Sequence, residues 1–187
     1  MNEFYVLMQK GSRGEAVCFP GNIPFSEFNV SQILRNQGLP NKKIIYAPSL
    51  GNKFYDFVMV TAAINLISER VYTLLKDNNI TGWEGIPAVI HKHEDLKYYL
   101  LTITGRCGPI DKSKTMIVDS TKLIPGQIAK AYQGLFFSED SWDKSDMFVS
   151  EYVNFTFITE KVKTLLEKNK VTNIIITNTK EYQWFYC

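Results

Sequence analysis

The sequence predicts an α+β fold, a single domain of two similar strand–helix–strand halves on a mostly antiparallel sheet. Three observations predict it. Leu66 to Thr81 (LISERVYTLLKDNNIT) returns as Phe157 to Thr172 (FITEKVKTLLEKNKVT) at a constant offset of 91 residues. Within each copy the apolar residues recur at helical spacing. Around the copies lie short β-branched and aromatic runs broken by Gly, Pro and Asn. Two copies are too few for a solenoid, which needs at least three stacked units. They read instead as related units, at about 56–90 and 147–178, of one domain spanning 1–187.

Each copy can be justified position by position. Ser68 and Thr159 stand where an N-cap hydroxyl belongs, a feature worth ~1 kcal/mol against alanine. Glu69 and Glu160 follow at the favourable end of the helix dipole. Ile67, Val71, Leu74 and Leu75 share one helical face, as do Ile158, Val162, Leu165 and Leu166. Burying four such side chains contributes roughly 6–12 kcal/mol, an upper bound. Asn78, Asn79 and Asn169 suit the helix ends, because asparagine tolerates left-handed backbone angles. Ile80-Thr81, and Val171-Thr172 with Ile174 to Ile176, read as the strands that follow. Asn173 replaces the Gly82 of the first copy, which bears on how tight the second turn is. The repeat is core-packing structure and carries no ligand site.

The remaining elements fall in order. Phe4 to Met8 reads as a strand, Gly11 to Gly14 as a turn, and Ala16 to Phe19 as the partner strand. A short helix within 26–38, around Val30, Ile33 and Leu34, ends at Gly38. Ile44 to Tyr46 is a strand, Pro48 to Asn52 a loop, and Phe54 to Val60 extended. Trp83 to Ile90 and Lys97 to Thr104 form two strands joined by the polar turn His91 to Asp95. Gly105 to Lys114 is a loop, Met116 to Val118 a strand, and Ile128 to Phe137 a strand interrupted near Gly134. Tyr182 to Tyr186 is too aromatic to fray and docks as a final strand.

Composition narrows the function. With 45% apolar and 21% charged residues, the chain is an ordinary globular protein with volume for a real core. A net charge of only +2 argues against nucleic acid or an anionic membrane as partner. The start, MNEFYVLMQKG, lacks the basic and apolar regions of a secretory signal. No apolar run approaches the ~20 residues of a membrane span. Three cysteines (Cys18, Cys107 and Cys187) form no disulfide framework, which points to a reduced, cytoplasmic protein.

Catalytic motifs are missing: no GK[ST] phosphate loop, GxGxxG, HExxH, CxxC or GxSxG. No cofactor is implied. His91 and His93 would point the same way on an extended chain and, with a carboxylate, could hold zinc or iron. A polar turn between apolar strands explains them equally. Cys107 follows Arg106, a cation that could lower a thiol pKa, but no base partner is recognisable. A metal- or thiol-dependent enzyme using His91, His93 or Cys107 is therefore one alternative. A glycan-binding module using Tyr182, Trp184 and Tyr186 in an exposed row is another. The segment 138–151 is the one local charge anomaly, with five acids against Lys144. A solvated loop accounts for that charge; a contact surface is the sharper reading. Glu139, Asp140, Asp143 and Asp146 around an exposed Trp142 have the composition of a hot spot for a basic protein.

These residues also carry a resemblance. Asp56-Phe57-Val58, Leu66 to Arg70 with Leu74-Leu75, and Ile80-Thr81-Gly82 resemble the bacterial polymorphic-toxin immunity proteins called immunity family eleven, formerly a domain of unknown function. Tyr98 to Ile103, then Gly108 to Asp111, look like the family's central strand and its aspartate-bearing turn. Phe157 to Thr172 looks like its closing helix and strand. The resemblance covers about residues 54 to 180. It implies a cytoplasmic, non-catalytic protein that binds and blocks a cognate toxin C-terminal domain, a basic nuclease being one candidate. It transfers no interface residue, because the shared motifs are core positions.

Overall fold

The apolar runs of this sequence pair into three sheets. The computed structural model describes residues 2–24, 27–38, 44–124 and 127–186. In chain order the strands begin with β1 (Phe4–Gln9) and β2 (Val17–Pro20), followed by the short helix α1 (Val30–Leu34). Next come β3 (Ile45–Leu50), β4 (Phe57–Met59), β5 (Asn65–Ser68) and helix α2 (Glu69–Asp77). The hairpin β6 (Trp83–Ile90) and β7 (Tyr98–Ile103) precedes β8 (Gly105–Cys107), β9 (Met116–Ile124) and β10 (Gln127–Gln133). The chain continues through β11 (Met147–Ser150), β12 (Thr156–Thr159), helix α3 (Glu160–Lys168), β13 (Ile174–Asn178) and β14 (Gln183–Tyr186).

The α+β class and the mostly antiparallel pairing are as the sequence predicts. A closed six-stranded barrel, β2-β3-β6-β7-β5-β4, was not expected from it. Beside the barrel lie an open sheet ordered β13-β1-β12-β11-β8 and a three-stranded sheet β14-β10-β9. The first copy of the repeat contributes its strands to the barrel, and the second contributes its strands to the open sheet. Several expectations need correction. The run 16–19 does not pair with β1; Phe19 faces Ala47 of β3 instead. The reason is burial: β1 is apolar on both faces, so it takes a central place between β12 and β13. Pro48 to Leu50 continue β3, and Gly105 to Cys107 form a strand parallel to β11. Ile80-Thr81 and Val171-Thr172 are loops.

Two apolar clusters sit on opposite faces of the open sheet. Tyr5 and Leu7 of β1 and Ile158 of β12 join the larger cluster, which fills the barrel and packs under both helices. Phe4, Val6, Phe148 and Phe157 point the other way, into an aromatic cluster with Tyr182 and Trp184. Alternation with a period of two does this sorting, and it explains why these strands read as continuous hydrophobic runs.

At the offset of 91 residues the local elements coincide, β5 with β12 and α2 with α3, and β6 and β13 begin in register. Helix ends agree in detail. The amides Nδ2 of Asn78 and Asn169 each donate to the carbonyl four residues back, at 2.8 Å. Asn79 and Lys170 have φ of 49° and 50°, and Gly82 and Asn173 have 81° and 64°. A Cβ at Gly82 would lie 2.0 Å from the Met147 carbonyl oxygen, so only glycine fits there. Asn173 keeps the left-handed angle and uses its amide, donating to the Phe57 carbonyl at 2.8 Å. The caps differ. Both hydroxyls donate to an aspartate, Ser68 to Asp56 at 2.8 Å and Thr159 to Asp146 at 3.5 Å, but only Ser68 Oγ also caps its helix, accepting from the Val71 amide at 3.4 Å.

The two units hold each other through a crosswise pair of aspartates. Asp56, before β4, accepts from the amide and hydroxyl of Thr172 in the second unit, both at 2.8 Å, and from Ser68 and Arg70 of its own unit. Asp146, before β11, accepts from the amide and hydroxyl of Thr81 in the first unit at 3.0 and 3.1 Å, and from Lys161 at 2.9 Å. Each aspartate amide in turn donates to the facing threonine oxygen at 3.0 Å. This capture of Thr81 and Thr172 keeps both segments out of the strands that follow. Burial alone would raise the Asp56 pKa; the Arg70 guanidinium and the Thr172 and Ser68 donors outweigh it and hold the carboxyl below its usual range.

Two measurements follow from this packing. Leu166 is 1% exposed, but Leu165, expected on the buried face, is only partly covered. Leu166→Ala should cost ~2–5 kcal/mol in urea unfolding and Leu165→Ala about 1–2 kcal/mol. For Asp56, the unfolded state binds the proton more readily than the folded state. Its stabilisation is complete above the unfolded carboxyl pKa of about 3.9 and is lost as pH falls through the lower folded value. Unfolding scans on Asp56→Asn should therefore show lower stability at pH 7 and a flatter decline in acid than the parent protein.

Candidate partner interface

The acidic segment lies between β10 and β11, folded around a 3-10 turn at Glu139–Ser141. Asp140 is exposed, and Glu139 accepts from Asn2 at 3.1 Å. Asp143 receives the Arg106 amide at 2.7 Å and the Ser145 amide at 3.0 Å, which ties the segment to β8. Asp146 belongs to the crosswise pair. Trp142 is half-buried, contrary to the expectation of an exposed ring. Its edge meets Phe4 at 4.9 Å, its Nε1 donates to the Ser145 carbonyl at 3.0 Å, and Lys144 covers its ring at 4.9 Å. The apolar residues Phe4 and Phe148 claim this indole as part of the aromatic cluster. Of the five residues, Asp140 and Asp143 are exposed and Glu139, Trp142 and Asp146 are half-buried, while Trp142, Asp143 and Asp146 also fix the segment.

The other candidates resolve differently. His91 and His93 sit in a turn instead of an extended strand. His93 packs on Phe54 at 4.7 Å, and His91 Nδ1 lies 4.0 Å from Glu94. Among the described residues no group of three His, Cys, Asp or Glu side chains converges as a metal site. Cys18 and Cys107 are buried free thiols; Cys187 lies outside the described residues. Burial and the Asp143 carboxylate push the Cys107 thiol up to about 12, the reverse of activation. The neighbouring cation does not face the sulfur: Arg106 donates to the carbonyls of Ile103, Gly105 and Arg35 at 2.6–2.9 Å. Tyr182 and Trp184 are buried, with Trp184 Nε1 on the Gly134 carbonyl at 3.1 Å. Rings buried in a core cannot form a sugar-binding row, so that reading is overturned. The side chain of Tyr186 lies outside the described residues.

Sequence reasoning missed the loop 151–155, between β11 and β12. Tyr152 is 75% exposed, the most exposed of the large apolar side chains described. Beneath it, Arg35 at the end of α1 is only 8% exposed. Its guanidinium donates to the carbonyls of Ser150 at 2.7 Å, Glu151 at 3.3 Å and Val153 at 3.0 Å, and to Asn154 Oδ1 at 2.7 Å. A buried guanidinium is tolerated only when its donors are satisfied, and here they join the carbonyl and hydroxyl of Ser31 in α1, at 3.1 and 2.6 Å, to the loop. Tyr152 lines a cavity of about 450 Å³ together with Leu7, Met8 and Trp184. It also lines an adjoining cavity of about 380 Å³ with Ile110 and Lys112. No periodicity marks such a site; a lone tyrosine beside a glutamate reads only as surface.

Arg35→Ala would leave those carbonyls without their donor. The substitution should cost ~3 kcal/mol. Limited proteolysis should then cut within 150–155, a site expected to resist cleavage in the parent protein.

No helix of the described residues is long and apolar enough to cross a membrane. Among curated proteins none matches the chain. Residues 20–181 match the family model described as Immunity protein family (Imm11). With that match covering most of its length, the chain belongs to the Imm11 immunity protein family.

Proposed function

We propose that this protein is a cytoplasmic immunity protein that binds the C-terminal domain of a cognate toxin and neutralises it by occlusion, without catalysis of its own. Family membership supplies toxin neutralisation and a toxin partner. The observation that carries the finer reading is the acidic segment before β11, tied down by Asp143 and Asp146, with Asp140 exposed and Glu139 partly so. Trp142, Asp143 and Asp146 act as its frame. Carboxylates displayed on a pre-ordered surface suit a basic partner such as a nuclease domain, and charge complementarity of this kind accelerates encounter. The strand–helix–strand units at about 56–90 and 147–178 are related halves of one immunity domain spanning 1–187. Their shared offset, helix ends and reciprocal aspartates support that reading.

A toxin gene should lie upstream of this one; co-expression with its C-terminal domain should restore growth, and the two proteins should co-purify. The pair Glu139→Lys and Asp140→Lys should slow association about tenfold at low salt and flatten its dependence on ionic strength. Growth arrest that persists despite co-expression would contradict the proposal.

A further inference from the structure

We infer that the Tyr152 loop and the 450 Å³ cavity beside it form an anchor site for a partner segment that presents an apolar side chain next to a lysine or arginine. This rests on the immunity reading and names the chemistry of the contact. The first ground is order. The loop is not free to collapse onto the cavity, because Arg35 fixes two of its carbonyls, the Ser150 carbonyl just before it and the Asn154 side chain. Ordering costs are thus met before binding, which is the condition for a tight complex.

The second ground is shape. The cavity's apolar lining, Leu7, Met8, Val30, Ala63, Phe155 and Trp184, draws on β1, α1, the β4–β5 turn and β14, and it suits one aliphatic or aromatic side chain. Tyr152 stands at the rim, where an exposed ring beside a hollow can close over an inserted group.

The third ground is charge. Among the described residues no charged side chain lines this cavity. Its polar lining is Thr61, Asn65, Asn154 and Thr156, and Asn65 Oδ1 is buried without a hydrogen-bond partner. Glu151 is exposed at the base of Tyr152, and a hydrogen bond to its carboxylate raises the tyrosine pKa. The lining hydroxyls and amides can donate as well as accept, and the one charge within the loop 151–155 is the Glu151 carboxylate, so a cation beside the inserted apolar side chain is its complement.

Two probes test this on the intact protein. The first is the upstream-encoded toxin domain, titrated against the parent protein, Tyr152→Ala and Ala62→Trp. Ala62 is exposed on the cavity lip, so tryptophan there blocks the opening without touching the core. Both variants should melt with the parent and bind roughly thirtyfold more weakly or worse. Parent-like affinity in both would overturn the anchor while leaving the immunity reading intact. The second probe is a phage-displayed random dodecapeptide library selected on the parent and counter-selected on Ala62→Trp. Enrichment of an aromatic or aliphatic residue adjacent to Lys or Arg supports the anchor even if that toxin domain does not bind. Absence of enrichment, enrichment of acidic sequences, or enrichment that Ala62→Trp does not remove would overturn it.

Discussion

The structure depends on a reciprocal pair of carboxylate clasps. Asp56 precedes the first strand–helix unit yet takes the amide and hydroxyl of Thr172 from the second, and Asp146 does the same for Thr81. Each carboxylate also takes a hydroxyl and a cation from the helix start of its own unit. The donors come from segments far apart in sequence, so satisfying one aspartate fixes the barrel against the open sheet. A half-satisfied carboxylate at such a seam would cost more than none, which makes the arrangement cooperative.

Between the clasps and the proposed contact surface lies β11. All four of its residues are buried, with β12 on one side and β8 on the other. The acidic segment enters it and the Tyr152 loop leaves it. One end is tied down by Asp146 and Asp143, the other by Arg35. Both loops therefore inherit the rigidity of a central strand, and a surface built this way loses little entropy on meeting a partner. The buried groups that a reactive site would need are used in the same cause. Arg106 serves backbone carbonyls, and Cys107 packs as a small apolar side chain.

Much of this was legible in the residues. The repeated IxxxVxxLL pattern locates α2 and α3, and Ser68 marks a helix start. The β6–β7 hairpin follows from apolar runs around a polar turn. The barrel was not legible, because closure depends on long-range pairings such as Ile45 with Val89 that leave no local signal. Leu74 and Leu165 were placed deeper than they lie, since an apolar face wider than its groove leaves its margin half-covered. In the candidate site the acids were visible as charge, but which of them tie the segment down, as Asp143 and Asp146 do, was not. Trp142 could not be told from an exposed anchor without knowing that Phe4 and Phe148 converge on it. Arg35, more than a hundred residues before the loop it holds, carried no sequence cue at all.

On the reading proposed above, the protein presents a pre-ordered surface around β11 to a toxin domain. Hydrogen exchange with and without that domain tests it most directly. Exchange in 138–142 and 150–155 should slow on binding, with the amides of Thr81 and Thr172 already protected and unchanged. Protection confined to other faces, or fast exchange at those two amides in the free protein, would contradict it.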